Sequence, residues 1–221
     1  MMSRRSVVAV ALFVLGFSFI ESCVVAYLQK AFFQGTTNVF PLRLIDMRYL
    51  KIEIVREAAT IIVLTAAALM LEKGKWRVFW MFSVLFAAWD ILYYIWLHVL
   101  TGWPASLFDW DVLFLIPFPW LAPVLAPVLV ALLLVLSGVL MLKGPRNAAL
   151  GIYGVSSGVI GVGLIIWSFI SDSFVILYKG TEALTGFTPQ DFHWLVYTLG
   201  ILFCIAPVVS KMFFEKGLAG A

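Results

Sequence analysis

Six apolar segments, each about as long as a membrane is thick, restrict this chain to very few folds. A helix needs about 20 mostly apolar residues to cross roughly 30 Å of hydrocarbon. Such segments lie at about 6–28, 53–71, 78–100, 124–142, 148–171 and 192–214. In lipid, a helix satisfies its own backbone N–H and C=O groups, whereas an open strand does not. The sequence therefore predicts an all-α, multi-pass integral membrane protein: a bundle of about six transmembrane helices that forms a single polytopic domain over residues 1–221.

The composition excludes several other classes of protein. Hydrophobic residues make up 63% and charged residues 12% of the chain, whereas soluble domains carry roughly 25% charged residues. The lipid bilayer is therefore an expected partner. The net charge is only +3, and the basic residues stand at segment ends instead of forming one face, so nucleic acid is not expected as a partner. Cys23 and Cys204 both lie in apolar segments, which argues against a disulfide framework or a cysteine-based zinc site.

The distribution of Lys and Arg predicts the orientation in the membrane. Cytoplasmic loops carry an excess of these residues. If both termini are cytoplasmic, nine of the 15 basic residues fall on that side: Arg4, Arg5, Lys73, Lys75, Arg77, Lys143, Arg146, Lys211 and Lys216. The other side holds Lys30, Arg43, Arg48, Lys51, Arg56 and Lys179. We expect an integral protein of the cell membrane with both termini cytoplasmic, a pattern typical of a bacterial inner-membrane protein.

One uncharged run is too long for a single straight helix. It extends from Val112 to Leu142 and would span about 46 Å at 1.5 Å per residue. Each proline in its first half removes a backbone donor: Pro117, Pro119, Pro123 and Pro127. We expect a Pro-broken or re-entrant segment at 112–122, followed by a helix at 124–142. Irregular backbone at membrane depth survives only when it is buried in protein or lines a cavity, so this segment should lie against a cavity.

Local patterns predict further details of the helices. Asp46 could cap a helix that begins before residue 53 and continues into the second span. Residues 188–191, Thr-Pro-Gln-Asp, resemble the N-cap, first and third positions of a helix start and should open the last span. Gly154 and Gly158 form a small-xxx-small pair, which predicts a helix-packing face.

Ionisable residues inside the predicted spans mark a candidate site. A carboxylate near the bilayer centre costs at least about 2.5–3.5 kcal/mol, so such residues suggest function. In the predicted orientation, the following side chains fall in the extracytoplasmic half: Glu21, Arg56, Glu57, Asp90 and Tyr94. This one-sided polarity predicts a cavity that opens outward.

Three interpretations of this group remain open. In the first, Arg56 pairs with one acid, Tyr94 donates to another, and burial keeps a third acid protonated. In the second, the group is an acid/base or metal site, with Glu21, Glu57 and Asp90 as oxygen ligands for a divalent metal ion. In the third, the acids form an ion or proton pathway.

The two histidines suggest a second, weaker site at the outer rim. His98 and His193 both fall at outer ends of predicted helices, near Asp109 and Asp111. Two imidazoles and a carboxylate suit zinc or another divalent ion, and the same histidines could instead be the axial ligands of a haem b. Ordinary interfacial histidines explain the pattern equally, because no motif spacing accompanies them.

The leading functional hypothesis is a membrane-embedded enzyme with an extracytoplasmic-facing carboxylate site, with or without a metal ion, acting on a lipidic or small apolar substrate. Glu57 and Asp90 would be acid/base groups or ligands, and Glu21 a third carboxylate. Arg56 would anchor an anionic group, and Tyr94 would donate a hydrogen bond. The alternatives are a proton- or cation-coupled transporter or channel, and a non-catalytic, haem-binding subunit of a membrane complex.

Overall fold

The structure, a computed structural model, describes residues 4–32, 40–42, 46–144, 150–178 and 186–219, with only the backbone for 175–177 and 211–219. These residues form six helices and one two-stranded sheet. The helices are α1 (Arg4–Phe32), α2 (Met47–Leu71), α3 (Lys75–Thr101), α4 (Leu125–Lys143), α5 (Ile152–Tyr178) and α6 (Trp194–Ala219). The strands β1 (Trp110–Val112) and β2 (Leu121–Pro123) lie between α3 and α4.

The helices confirm the prediction of a helical membrane protein. By length and hydropathy, α1 to α5 are able to cross a membrane, and α6 is apolar over Trp194–Ser210. The early start of α2 is explained by the predicted cap, because the Asp46 carboxylate accepts a hydrogen bond of 2.8 Å from the Arg48 N–H. This cap satisfies one of the backbone donors that every helix leaves free at its first turn.

The predicted start of the last helix is wrong. Residues 187–193 are irregular, and α6 begins at Trp194. The backbones of Leu42 and Phe187 are joined by a hydrogen bond of 2.9 Å, and Gly186 N–H donates back to the Leu42 carbonyl at 2.9 Å. These long-range bonds fix the chain directly before residues 188–191, where the local pattern favoured a helix start.

The predicted break at 112–122 is present, and it takes the form of a β-hairpin. The strands pair antiparallel, with Asp111 opposite Ala122. Between them the chain turns back through Pro117 and Pro119, which have no N–H to donate, and the Leu113 N–H donates to the Trp120 carbonyl at 2.8 Å. Apart from these two three-residue strands, the regular secondary structure of the described residues is helical.

Helix α3 lies at the centre of the first part of the bundle. It packs against α1, α2 and α4. The core there consists of apolar side chains: Val14, Leu64, Ala68, Met81, Leu85 and Trp89. Gly138 allows α4 to approach closely, because a Cβ at this position would lie 3.0 Å from the Trp80 carbonyl oxygen.

Helices α5 and α6 form a second packed pair, which meets the rest of the described chain through β2 and α4. They cross at Gly161 and Gly200, where a Cβ on Gly161 would stand 2.6 Å from the Gly200 carbonyl oxygen. The predicted packing face of α5 is therefore real, and the closest approach to α6 lies one turn beyond the predicted pair. Gly154 does contact Pro207, whereas a Cβ on Gly158 would meet open space.

The hairpin lies at the end of the bundle where α1, α3 and α5 end and α2, α4 and α6 begin. Ring contacts show this arrangement: Phe32 meets Tyr49 at 4.9 Å between centroids, and Trp110 of β1 meets Phe192 at 6.2 Å. We call this the hairpin end. The opposite end carries Arg4 and the α2–α3 connection, where Arg77 forms an ion pair with Glu72.

Candidate functional site

A cavity of about 540 Å³ lies at the hairpin end. This volume falls within the range of roughly 300–1,000 Å³ that is common for small-molecule sites. Helices α1 to α5 and the hairpin all contribute to its largely apolar wall. Its polar residues are Gln29, Tyr49, Glu53, Arg56, Glu57, Thr60, Asp90, Tyr93, Tyr94 and Asp111. The interrupted segment thus lines a cavity, as its prolines predicted.

The cavity does not extend into the other half of the bundle. On α2 its lining ends at Thr60, on α3 it begins at Phe86, and on α4 it ends at Ala131. Beyond these positions, towards the end of the bundle that carries Arg4, lies the apolar core around Leu64 and Leu85, both fully buried. Among the described residues, the cavity therefore has an apolar floor.

Arg56 stands between two carboxylates. Its Nε donates to Glu53 Oε1 at 2.8 Å, one turn earlier on α2, and its other nitrogens form ion pairs with Glu53 and with Glu21 of α1. The Thr60 hydroxyl donates to the same Glu21 oxygen at 3.0 Å. Glu21 is buried and is not among the residues that line the cavity. The predicted pairing of Arg56 with an acid is present, and it leaves Glu21 in a structural position.

Glu57 joins α2 to the hairpin. Its carboxylate accepts hydrogen bonds of 2.9 and 3.2 Å from the Leu115 N–H. Leu115 lies in the turn between the strands, so its N–H has no partner in the sheet. The Glu57 carboxylate of α2 accepts its hydrogen bond instead. Glu57 is 6% exposed and lines the cavity.

Tyr94 and Asp111 join α3 to the hairpin in a similar way. The Tyr94 hydroxyl donates to Asp111 Oδ2 at 2.8 Å, and the Val112 N–H donates to Oδ1 at 2.8 Å. Burial raises the pKa of Asp111 to about 6, although both hydrogen bonds act to lower it. The prediction that Asp111 lies at an exposed rim with the histidines is wrong, since it is 7% exposed in the cavity wall.

Asp90 differs from the other acids of the cavity. It is half-buried, lines the cavity, and has no hydrogen-bond or ion-pair partner in the described part of the chain. Asp111 lines the same cavity. Sequence reasoning singled out Asp90 for its depth, and the structure places its carboxylate where a ligand could reach it.

Gln29 and Trp89 are cavity residues that the sequence analysis did not single out. Gln29 is 6% exposed, and neither of its amide atoms has a hydrogen-bond partner among the described residues. The same holds for the indole N–H of Trp89, which is also 6% exposed. The signal for Gln29 was available, because it is an uncharged polar residue near the end of the first apolar segment.

The two histidines do not come together. His98 Nδ1 lies 2.8 Å from the Pro104 carbonyl oxygen, and His193 Nε2 lies 3.3 Å from Asp172 Oδ1. Within the described ranges, no group of three or more His, Cys, Asp or Glu residues is placed to hold a metal ion. Neither the carboxylate metal site at Glu21, Glu57 and Asp90 nor the rim site of His98 and His193 with Asp111 is therefore supported.

Comparison with protein-family models, curated protein sequences and solved structures gives no match. The chemistry that the cavity can support therefore follows from its own side chains. A carboxylate without a partner in a largely apolar cavity can accept a hydrogen bond, form an ion pair with a ligand, or transfer a proton.

Proposed function

We propose that this chain is a membrane-embedded enzyme that acts on a lipidic or small apolar substrate bound in the cavity. In this proposal Asp90 transfers a proton to or from the substrate. The observation that carries the proposal is that Asp90 lines a largely apolar cavity of about 540 Å³ without a described partner. Proton transfer by a positioned carboxylate typically contributes 10²- to 10⁴-fold to a rate.

The other polar groups take supporting roles in this proposal. Tyr94 and Asp111 hold the hairpin against α3 beside Asp90. Glu57 holds the hairpin turn against α2 through Leu115. The role of Arg56 as an anchor for an anionic substrate group loses support, because its guanidinium already faces two carboxylates.

A transporter or channel has less support than an enzyme. Transport requires a polar route across the bundle, whereas the cavity ends at Thr60, Phe86 and Ala131 above an apolar core. The Ser83 hydroxyl, which lies on α3 below the cavity, donates to the Phe79 carbonyl of its own helix at 2.9 Å. The alternative of a haem-binding subunit gains no support from the histidines, since only their separate contacts with Pro104 and Asp172 are found among the described residues.

We also propose that the protein lies in the cell membrane with both termini cytoplasmic and the hairpin end outside. The basic residues near Arg4 and Lys73 support this orientation through the positive-inside rule. Replacing Cys23 and Cys204 and adding one cysteine at Ala105 or at Lys73, both exposed, allows a direct test. A membrane-impermeant thiol reagent should label Ala105→Cys in intact cells and leave Lys73→Cys unlabelled. The reverse pattern would invert the orientation.

Lipid conversion tests the enzyme proposal. Purified wild-type protein is incubated in liposomes of total lipid extract from its expression host, and the lipids are compared by mass spectrometry over time. The wild type should convert a lipid or lipid-soluble species, and Asp90→Asn should slow this conversion at least 100-fold. Asp172→Asn, in the exposed pair with His193, is the matched control and should retain the rate. Equal conversion by Asp90→Asn, or no conversion by the wild type, would refute the proposal.

A further inference from the structure

The cavity wall contains far more acidic than basic side chains. Among the described residues that line it, Arg56 is the only basic one, whereas four are acidic: Glu53, Glu57, Asp90 and Asp111. Arg56 is in addition paired with Glu53 and with Glu21 behind the wall. No positive charge of the wall is therefore left to balance a negatively charged ligand.

The hydrogen bonds of the wall also favour a ligand that donates hydrogen bonds. Glu57 accepts from the Leu115 N–H, and Asp111 accepts from the Tyr94 hydroxyl and the Val112 N–H. In the described part of the chain, Asp90 receives no such donor. Glu57 and Asp111 thus accept hydrogen bonds from the protein itself, whereas Asp90 accepts none from the described residues. A ligand bound in the cavity would donate a hydrogen bond to Asp90.

The aromatic and aliphatic side chains of the wall suit a ligand that carries both a positive charge and apolar groups. The aromatic side chains that line the cavity include Phe86, Trp89, Tyr93, Phe114 and Trp120. The face of an aromatic ring attracts a cation, most strongly when water is excluded. Aromatic and aliphatic groups also favour a ligand with an extended hydrocarbon part.

We propose that the ligand of this cavity is an amphiphilic amine, an apolar molecule with one ammonium group that pairs with Asp90. This inference rests on the proposed function, because it names the substrate class of the same cavity. The ammonium N–H groups donate to the Asp90 carboxylate, and the hydrocarbon part occupies the apolar wall. The same wall should bind the carboxylate of a fatty acid more weakly than an ammonium group, because Arg56 is already paired.

Binding of simple amphiphiles tests this proposal without any need for turnover. The full-length protein in phosphatidylcholine nanodiscs is titrated with dodecylamine, dodecan-1-ol or dodecanoic acid at pH 7. Binding is followed by tryptophan fluorescence, since Trp89 and Trp120 line the cavity. Empty nanodiscs and Asp172→Asn are the controls for partitioning into the bilayer.

We expect the wild type and Asp172→Asn to bind dodecylamine at least tenfold more tightly than dodecan-1-ol, and dodecanoic acid more weakly still. Asp90→Asn should reduce this preference at least tenfold. A wild-type protein that binds the alcohol or the acid as tightly as the amine would overturn the inference, even if Asp90→Asn fails to fold. It would leave the enzyme proposal intact, because lipid conversion is measured separately.

Discussion

The hydroxyl of Tyr94 donates a hydrogen bond of 2.8 Å to Oδ2 of Asp111, which joins the central helix α3 to the first strand of the hairpin. The hairpin has only a few backbone hydrogen bonds of its own, so side chains from the helices hold it in place. Glu57 makes the corresponding contact from α2 through the Leu115 N–H. Two carboxylates therefore attach the hairpin to the helices, in addition to its apolar packing.

Tyr94→Phe should lower the free energy of unfolding by about 1–3 kcal/mol, because a buried carboxylate loses its hydroxyl donor. Tyr93→Phe is the matched control, since no hydrogen bond from the Tyr93 hydroxyl is found among the described residues. Reversible unfolding in mixed detergent micelles measures both values. Equal effects of the two variants would show that the Tyr94–Asp111 bond adds little to stability.

The pKa of Asp111 predicts how stability depends on pH. Burial raises this pKa from 3.8 to about 6, so the folded protein binds this proton more tightly than the unfolded chain does. The contribution of Asp111 to stability is therefore largest below pH 4 and is lost as the pH rises from about 4 to 6. At about 1.4 kcal/mol for each pKa unit, the loss amounts to about 3 kcal/mol.

The comparison with Asp111→Asn isolates this contribution, because asparagine does not titrate and can still accept the bond from Tyr94. Melting temperatures of both proteins between pH 4 and pH 8 provide the measurement. Relative to the wild type, Asp111→Asn should become more stable as the pH rises to 6, with no further change above pH 7. A difference that is constant over the whole range would contradict the raised pKa.

Arg56→Met should destabilise the protein by about 3–5 kcal/mol, since it leaves the carboxylates of Glu21 and Glu53 without their shared cation. Adding Glu21→Gln and Glu53→Gln should restore most of this loss. Arg48→Met is the control, because Arg48 pairs with Asp46 at the surface with 87% of its side chain exposed. Thermal unfolding of the four proteins distinguishes them, and similar shifts for Arg56→Met and Arg48→Met would refute the prediction.

Gly161→Ala should destabilise the α5–α6 pair by about 1–3 kcal/mol, because the added methyl group would meet backbone atoms of α6 and force the helices apart. Gly158→Ala places the same methyl group in open space. It should therefore be neutral or slightly stabilising, as alanine favours a helix over glycine. Melting temperatures of the two variants test the position of the crossing, and a larger loss for Gly158→Ala would place it elsewhere.

The helices were predictable because hydrophobic length and backbone satisfaction in lipid leave few alternatives. The break at 112–122 was also predictable, since prolines remove donors wherever they stand. The hairpin was not, because the pairing of Trp110 with Pro123 depends on tertiary contacts that no local pattern encodes. The start of α6 was misjudged for the same reason, as the bonds between Leu42 and residues 186–187 outweigh a strong local cap signal.

Several residues of the site were predictable from their depth alone. A charged side chain inside an apolar segment is expensive, and this argument identified Asp90, Glu57, Glu21 and Arg56. It did not indicate which acid pairs with Arg56, so it did not separate Glu21, which lies behind the wall, from Asp90, which faces the cavity. Asp111 was assigned to the rim because its position relative to α3 depends on the hairpin, which the sequence analysis did not predict.

The position of β2 between the two groups of helices links ligand binding to the assembly of the bundle. This strand provides much of the contact between the α5–α6 pair and the first four helices, and the cavity has Phe169 of α5 in its wall together with residues of α1 to α4. A molecule in the cavity touches both parts at once and binds the assembled bundle in preference to its separated parts. Ligand binding and helix assembly are therefore linked equilibria. A bound ligand favours the assembled bundle, and the assembled bundle binds the ligand more tightly.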